Sequence, residues 1–197
     1  MGAAIYEFSD KGYDGVTVRD IEVRADVQRG LLKYHFEDKA NLWKEAITSI
    51  FGELLEFRRA RLEMAQDLPA NERLAFRIRS FVRFSAQHPE LNRLMIQEGK
   101  TDSWRMTFMV ETFIRHSAAE LRELVDAELV ISDQDFFHWY YMFIGAGALA
   151  FNVAPEAKQL FGVDVSDEDV ITRHAHLTAN VLLSMAVSKT KPPNNNT

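Results

Sequence analysis

The residues best suited to a specific chemistry lie between positions 13 and 44 of the 197-residue chain. Side chains that bind phosphates or base edges gather in the middle of this segment, at Gln28, Arg29, Lys33, Tyr34 and His35. The surrounding pattern predicts a helix, a tight turn and a second short helix that presents these side chains together. A short helix of this kind fits the major groove of DNA. The segment therefore predicts a helix-turn-helix that binds double-stranded DNA.

The distribution of charge favours site-specific over general binding to nucleic acid. The whole chain has a formal net charge of −6, whereas nonspecific binding to phosphates needs positive charge. Between residues 28 and 44, however, four basic residues stand against two acidic ones. A basic tip on an acidic body is what a site-specific DNA-binding protein requires.

The composition limits the other classes of protein. A hydrophobic content of 47% is enough for a sizeable core. The absence of cysteine excludes disulfide bonds and thiolate metal sites, and it agrees with a reducing compartment. No apolar run reaches the roughly 20 residues that span a bilayer, and no signal peptide is evident. We expect a cytoplasmic protein that does not enter a membrane.

Apolar residues recur at helical spacing along the whole chain, and no segment shows the sustained alternation of a strand. Only five prolines and nine glycines interrupt the pattern. The sequence therefore predicts an all-α fold. The predicted helices begin at or near residues 3, 17, 28, 38, 71, 89, 103, 132, 155 and 166.

Three residues predict the geometry of the N-terminal helices. Thr17 and Asp20 have the spacing of a capping box at the start of the second helix. Asp26 stands where the following turn needs a left-handed backbone, which aspartate tolerates better than most residues. Asp38 predicts the N-terminal cap of a long fourth helix, which runs to about Leu62.

The segment from residue 3 to residue 47 resembles the DNA-binding domain of the TetR (tetracycline-repressor-like) family. The resemblance is carried, in order and without gaps, by Gly12-Tyr13, Thr17, Ile21, Ala25, Val27, Gly30, Leu32, Tyr34-His35-Phe36, Lys39 and Leu42. It implies a dimeric transcriptional regulator, usually a repressor, with an N-terminal three-helix DNA-binding domain and a larger C-terminal helical bundle. We accordingly predict a DNA-binding domain over 1–45, an effector-binding and dimerisation domain over 46–188 and a disordered tail over 189–197.

Three positions depart from the family pattern. Gln28 stands where a serine usually caps the recognition helix, Lys33 replaces an aromatic residue, and Asp26 replaces a glycine in the turn. Lysine still reaches phosphate, and glutamine pairs with adenine. The departures therefore concern the operator sequence more than the function.

The resemblance also implies roles for individual residues. Thr17 and Lys39 would hold phosphates at helix N-termini, whereas Gln28 and Arg29 are candidates for contacts with base edges. The complete predicted DNA-binding set is Thr17, Val18, Arg19, Gln28, Arg29, Gly30, Lys33, Tyr34, His35 and Lys39. The alternative is an ordinary three-helix packing unit in which the aromatic side chains pack inward.

The segment FFHWYYMFIGAGALAF, residues 136–151, predicts a helix that is apolar on all sides. Such a helix must be covered by its own core and by something else, and its small residues allow another helix to approach closely. We expect it to pair, with the last helix, against the same two helices of a second subunit. The predicted interface residues are Trp139, Tyr140, Phe143, Gly147, Ala175, Ala179 and Leu182. Burial within one large monomer is the alternative.

A pocket for a small apolar or aromatic effector is predicted between the helices of the larger domain. Large aromatic and methionine side chains recur there at helical spacing, with a few polar residues that could anchor a ligand. The predicted lining is Phe81, Phe84, Met95, Glu98, Trp104, Phe108, Phe113, His116 and Tyr141. Such aromatic and methionine side chains more often form an ordinary close-packed core, and the polar residues fit solvated surface positions equally well.

The sequence gives no support to an enzyme. No phosphate-binding loop, carboxylate pair or activated nucleophile is evident, no cofactor is implied, and His174 and His176 are too poorly spaced to form a metal pair. A homodimer that reads a palindromic operator, with half-sites about 34 Å apart, is the favoured interpretation. We expect an effector to act by shifting the population between two arrangements of the body. The rival is a helical ligand-binding or adapter protein that does not bind DNA.

Overall fold

The computed structural model describes residues 1–185 and 187–188, which are α-helical almost throughout. This confirms the predicted all-α class. The helices are α1 Gly2–Lys11, α2 Val18–Arg24, α3 Leu31–Phe36, α4 Lys39–Met64, α5 Ala70–Gln87, α6 Pro89–Glu98, α7 Trp104–Met109, α8 Arg115–Glu128, α9 Asp133–Asn152, α10 Ala154–Phe161 and α11 Glu168–Ser184. Two short strands, β1 Leu129–Val130 and β2 Val187–Ser188, pair antiparallel. The predicted tail over 189–197 lies outside the described residues.

Local hydrogen bonds and one backbone dihedral angle confirm three of the sequence predictions. The Thr17 hydroxyl accepts the backbone N–H of Asp20 at 3.2 Å, while the Asp20 carboxylate accepts the Thr17 N–H at 2.8 Å, which completes the capping box. Asp26 adopts a φ of 52°, in the left-handed region. The Asp38 carboxylate accepts the N–H of Asn41 at 2.8 Å and caps α4.

The first compact unit contains residues 1–60 and 84–116. Its core brings α1 into contact with α2 and α6, and the first half of α4 runs through it. Fully buried members of this core include Phe8, Ile21, Trp43, Ile47 and Leu94. The residues 46–60 and 84–116, which the sequence assigns to the larger domain, thus pack with the N-terminal helices. A functional boundary at residue 45 stays a prediction.

The second compact unit contains residues 61–83 and the chain from residue 117 onward. Its core is built by α5, α8, α9 and α11, with the side chains of Leu74, Ile78, Val125 and Trp139 fully buried. The indole N–H of Trp139 donates to the backbone carbonyl of Leu182 at 3.1 Å and ties α9 to α11.

A π-helical segment, Val110–Ile114, interrupts the long helix that the sequence predicts over 103–130. It follows α7 directly and leads directly into α8. Such wide turns are rare and usually occur as single insertions in α-helices. Phe113 within this segment packs into the first core and stacks on Phe51 at 4.5 Å between ring centroids.

The predicted dimer-interface residues lie in or against the protomer's own core, which leaves little of their surface for a second subunit. Trp139 is 1% exposed, and its predicted neighbours are buried or pack against the same core. A Cβ atom on Gly147 would lie 2.7 Å from the ring of Phe81, so this glycine serves the approach of α5 within the protomer. The residues concerned are Trp139, Tyr140, Phe143, Gly147, Ala175, Ala179 and Leu182.

The predicted ligand-pocket residues are divided between two cores. Phe84, Met95, Phe108 and Phe113 pack in the first core, whereas Phe81 belongs to the second. Close packing of this kind is typical of a protein core, and an effector pocket lined by these residues stays a prediction.

The polar and peripheral members of the predicted pocket also have other surroundings. Glu98 is buried and accepts the Nε–H of Arg105 at 2.7 Å, so its charge serves an internal ion pair. Trp104 packs edge-on against Trp43. His116 is exposed on α8, and Tyr141 is 60% exposed on α9.

Among the described residues, no helix is long and apolar enough to cross a membrane. The same part of the chain holds no group of three His, Cys, Asp or Glu side chains placed to bind a metal ion.

Candidate nucleic-acid interface

The N-terminal end of α2 contributes the first group of predicted contacts. The capping box fixes Thr17, and Arg19, the second residue of the helix, is exposed to solvent. Val18 lies half-buried between them. A helix N-terminus carries partial positive charge that attracts phosphate, although the Asp20 carboxylate offsets part of this charge at α2. The Thr17 hydroxyl also donates to Asp20 at 2.7 Å, which keeps the cap rigid in the absence of DNA.

The predicted recognition helix begins three residues later than the sequence suggests. Its observed bounds are Leu31–Phe36, and Gly30 precedes it in the left-handed region with a φ of 87°. Gln28 and Arg29 therefore lie in the turn before the helix, where both are exposed. Glycine is the residue that adopts this conformation without a steric cost.

None of the six residues of α3 is buried. Tyr34 is 82% exposed, and Lys33 and His35 beside it are also exposed. The rings of Tyr34 and His35 contact each other edge-on, with 5.3 Å between their centroids. The alternative in which Tyr34 and His35 fill the core is therefore wrong. Leu32 and Phe36 pack, half-buried, against the first core, and the helix needs support beyond this limited hydrophobic packing.

Glu22 supplies that support, and the sequence reasoning missed it. This residue of α2 is only 5% exposed. Its carboxylate accepts the backbone N–H of Gly30 at 2.8 Å and that of Leu32 at 3.3 Å. It thereby satisfies two N–H groups at the start of α3, a position where no side chain of α3 forms a cap. Glu22 is four residues after Val18 on the same inward face, and a charge there needs a partner. That pattern was the signal for its role.

A second polar cluster joins α1 to α2. The buried carboxylate of Glu7 binds Lys11 at 2.6 Å and also the Nε–H of Arg24. The hydrogen bonds from Lys11 and then from Arg24 hold the pKa of Glu7 below its ordinary value. The guanidinium of Arg24 also stacks on the ring of Tyr6, at 3.8 Å from the centroid. These contacts fix the helix that carries Glu22.

Lys39 begins α4 at the other end of the predicted interface. Its ammonium lies 4.3 Å above the ring of Tyr13, a distance typical of a cation–π contact. The side chain is half-buried. The contact keeps the ammonium close to the α4 N-terminus, where partial positive charge and a lysine act together on an anion.

Eight of the ten predicted DNA-binding residues are thus exposed, and Val18 and Lys39 are half-buried. The segment formed by α2, the turn and α3 carries Arg19, Arg29 and Lys33, and Lys39 follows at the start of α4. Hydrogen bonds from guanidinium and ammonium groups to phosphate fix a protein on a duplex, while amide and guanidinium groups read base edges. The arrangement has the chemistry of a helix-turn-helix that binds DNA.

Comparison with known proteins agrees with this geometry. Residues 1–46 match the family model described as "Bacterial regulatory proteins, tetR family". The predicted resemblance to the TetR family is thus confirmed for the N-terminal domain. Among characterised relatives, it is 33% identical over 54 residues to the negative transcriptional regulator IcaR of the biofilm operon icaADBC from Staphylococcus epidermidis. That match spans 27% of this chain and 29% of the relative, so the likeness in sequence is confined to the DNA-binding end.

Solved structures extend the likeness in fold to the whole chain. A TetR-like transcriptional regulator from Rhodococcus sp. RHA1 superimposes with a TM-score of 0.62 at 19% identity, over 93% of this chain and 92% of that one. A mutant of HlyIIR gives 0.61 at 20% identity, over 95% and 93%. At such identities the match shows the all-helical regulator fold and leaves the ligand and the operator open.

Proposed function

We propose that this protein is a transcriptional repressor that binds a palindromic operator as a homodimer and responds to a small effector. The observation that carries the proposal is α3, which buries none of its residues and presents Lys33, Tyr34 and His35 to solvent. A helix that packs against the core only through the half-buried Leu32 and Phe36 leaves its other side chains for a partner, and its charge suits DNA. The name of IcaR, a negative regulator, supports repression.

An apolar face on α9 and α11 supports the homodimer. Phe137, Tyr141 and Leu149 recur on one side of α9 and are each more than half exposed, and Leu177 and Val181 are similarly exposed on α11. Gly145 lies in the same stripe of α9, and a Cβ atom there would meet nothing within 4 Å. The two helices pack against each other in the protomer. Exposed apolar patches of this kind mark protein interfaces, and a second copy of the chain offers an identical one.

Such a dimer gives the recognition helices the two-fold symmetry of a palindromic operator. It also replaces the predicted interface residues with their exposed neighbours on the same two helices. We call the set Phe137, Tyr141, Leu149, Leu177 and Val181 the apolar face.

The test of DNA binding uses affinity at several salt concentrations. Operator fragments are recovered by selection from fragmented genomic DNA, and their affinities are measured by fluorescence anisotropy. We expect Arg29→Ala to weaken binding about tenfold or more and Lys33→Ala to reduce the slope of log affinity against log salt by about one. Lys100→Ala removes an exposed charge outside the predicted set and is the matched control.

A protein that selects no DNA, or that loses equal affinity on Lys100→Ala and Arg29→Ala, is not the proposed regulator. The rival, a helical ligand-binding or adapter protein, would then account for the fold.

A further inference from the structure

A small cavity in the second compact unit has a cationic lining that the proposed DNA interface does not use. It lies between α5 and α11, with the end of α4 beside it, and its volume is about 90 Å³. The side chains that matter for its chemistry are Arg61, Phe76, Arg79, Ser80, Arg83 and His176. We propose that this cavity binds the carboxylate or phosphate group of a small-molecule effector.

Helical spacing places the lining residues on facing surfaces. Phe76, Arg79, Ser80 and Arg83 follow the i, i+3, i+4, i+7 pattern on one side of α5. Thr172, Ala175 and His176 repeat the same pattern over one turn of α11. The cavity is therefore a product of two regular helices.

The charge of the cavity is the reverse of the charge of the chain. Three arginines line it and no carboxylate does, although the protein as a whole carries a formal charge of −6. Among the described residues, Arg79 has no carboxylate within ion-pair distance. Gathering cations without enough counter-charges costs electrostatic free energy, which an anionic ligand would recover.

The neighbouring contacts hold the site in shape before a ligand enters. Arg83 binds the carboxylate of Glu168 and donates to the Thr172 hydroxyl at 2.8 Å. The guanidinium of Arg61 lies 5.9 Å from the centroid of the Phe76 ring. Preorganised guanidinium groups lose less side-chain entropy on binding and match the two oxygens of a carboxylate or phosphate.

The size of the cavity decides which part of a ligand it takes. Its volume of about 90 Å³ leaves room for one oxyanion group. Phe76 and Ala175 add an apolar wall, so an aromatic or aliphatic portion attached to the oxyanion has a surface to contact. The site thus differs in place and in chemistry from the apolar pocket that the sequence predicts.

The regulatory role of the bound anion rests on the proposed function, whereas anion binding itself is tested independently of DNA. The full-length protein is titrated by calorimetry with inorganic phosphate, with benzoate and with neutral benzamide, at constant ionic strength in a phosphate-free buffer. We expect saturable binding of at least one of the two anions and none of benzamide. The anion that binds more tightly identifies the group that the site prefers.

Variants locate the binding. Arg79→Gln is expected to weaken binding of the preferred anion about tenfold, the loss typical of a charge-assisted hydrogen bond. Arg79→Lys keeps the charge and should retain part of the affinity. Arg173→Gln is the matched control, because Arg173 is exposed on α11 next to Thr172 but does not line the cavity. If Arg79→Gln fails to fold, Arg79→Lys carries the test, with a loss of several-fold expected.

The proposal is overturned if neither anion binds saturably, if benzamide binds as tightly as benzoate, or if Arg173→Gln and the Arg79 variants have equal effects. Operator affinity is measured in parallel with and without the preferred anion. If the protein binds DNA but neither anion, the proposal of an oxyanion site is wrong and DNA binding stands. If it binds an anion at Arg79 but no DNA, the oxyanion site stands and the proposal of a regulator is wrong.

Discussion

Helices α3 and α9 each present a surface to solvent, but they are held in opposite ways. No residue of α3 is fully buried, although Leu32 and Phe36 pack half-buried against the first core, and two hydrogen bonds to the carboxylate of Glu22 position its first turn. The 20 residues of α9 bury an apolar face that includes Trp139 and Phe143, while a second apolar face remains exposed. Polar support leaves α3 free to expose charge, whereas hydrophobic support anchors α9 beneath an exposed apolar stripe.

The difference teaches what each surface is suited to contact. A charged, unburied helix gains by meeting phosphates and base edges, which replace its water contacts with charge-assisted hydrogen bonds. An apolar stripe gains by leaving water altogether, and burial of apolar area contributes about 25 cal/mol per Å². The charged surface of α3 therefore fits the proposed contact with DNA, and the apolar stripe of α9 fits the proposed contact with a second protomer.

The largest expected effect comes from placing charges on the apolar face. Tyr141→Glu combined with Leu177→Glu should convert the dimer to a monomer, because two carboxylates would be buried without partners. Operator affinity should fall about 100-fold or more, since the second half-site is no longer bound intramolecularly. Sedimentation equilibrium measures the first effect and fluorescence anisotropy the second.

Leu160→Glu is the control for this experiment, because Leu160 is a similarly exposed leucine on α10 outside the apolar face. A double variant that remains dimeric, or a control that dissociates equally, would show that α9 and α11 do not form the interface.

An intermediate effect is expected when the support of α3 is removed. Glu22→Ala leaves the N–H groups of Gly30 and Leu32 without their acceptor, which should lower the free energy of unfolding by about 1–3 kcal/mol. Because α3 loses its position, operator affinity should also fall about tenfold. Urea unfolding and anisotropy measure the two quantities.

The matched variant for Glu22→Ala is Ser132→Ala, which removes the hydroxyl that accepts the Asp135 N–H and caps α9. It should lower stability by about 1 kcal/mol and leave operator affinity unchanged. Equal losses of operator affinity in the two variants would contradict the positioning role of Glu22.

The smallest expected effect is a change in how stability depends on pH under acidic conditions. The pKa of Glu7 is held below its ordinary value by Lys11 and Arg24, so the ionised carboxylate stabilises the folded state above the unfolded pKa of about 4.3. This contribution is lost as the pH falls through the lower pKa of the folded state. Glu7→Gln should therefore have a shallower loss of stability between about pH 5 and pH 3 than the unsubstituted protein.

Urea unfolding at a series of pH values measures this difference in slope. Glu45→Gln, at an exposed position of α4, should keep the original slope. If the free energy of unfolding depends on pH with the same slope in the Glu7 variant and in the unsubstituted protein, the polar cluster between α1 and α2 does not contribute to acid unfolding.

The sequence predicted α3 better than α9, and the reason is physical. Polar residues at Arg29, Lys33 and His35 are exposed because burial would leave them unpaired, so type alone indicates position. In a helix that is apolar on every side, any face could be buried, and the residue types do not indicate which face packs against the protomer's core. The prediction therefore assigned Trp139 and Phe143 to a partner when the protomer itself buries them.

Two further features depended on distances between elements that no local pattern contains. The direction of Glu22 toward Gly30 depends on the turn between α2 and α3, and only its inward placement was visible in the sequence. The cavity at Arg79 forms because α11 lies against α5, and residues so far apart in the chain cannot be paired by spacing. Capping at Thr17 and Asp38, by contrast, involves neighbours three residues away, and the sequence predicted both.

The π-helical segment at 110–114 also constrains how this protein can change in length. A π-helical turn holds one residue more than the α-helical path needs, so a chain that is one residue shorter here can close the turn as regular α-helix. Leu121 and Val125 would then stay in the core that they occupy. We therefore expect loss of one residue to be tolerated better within these five positions than in the α-helical turns of α8, where it would rotate the following side chains by about 100°.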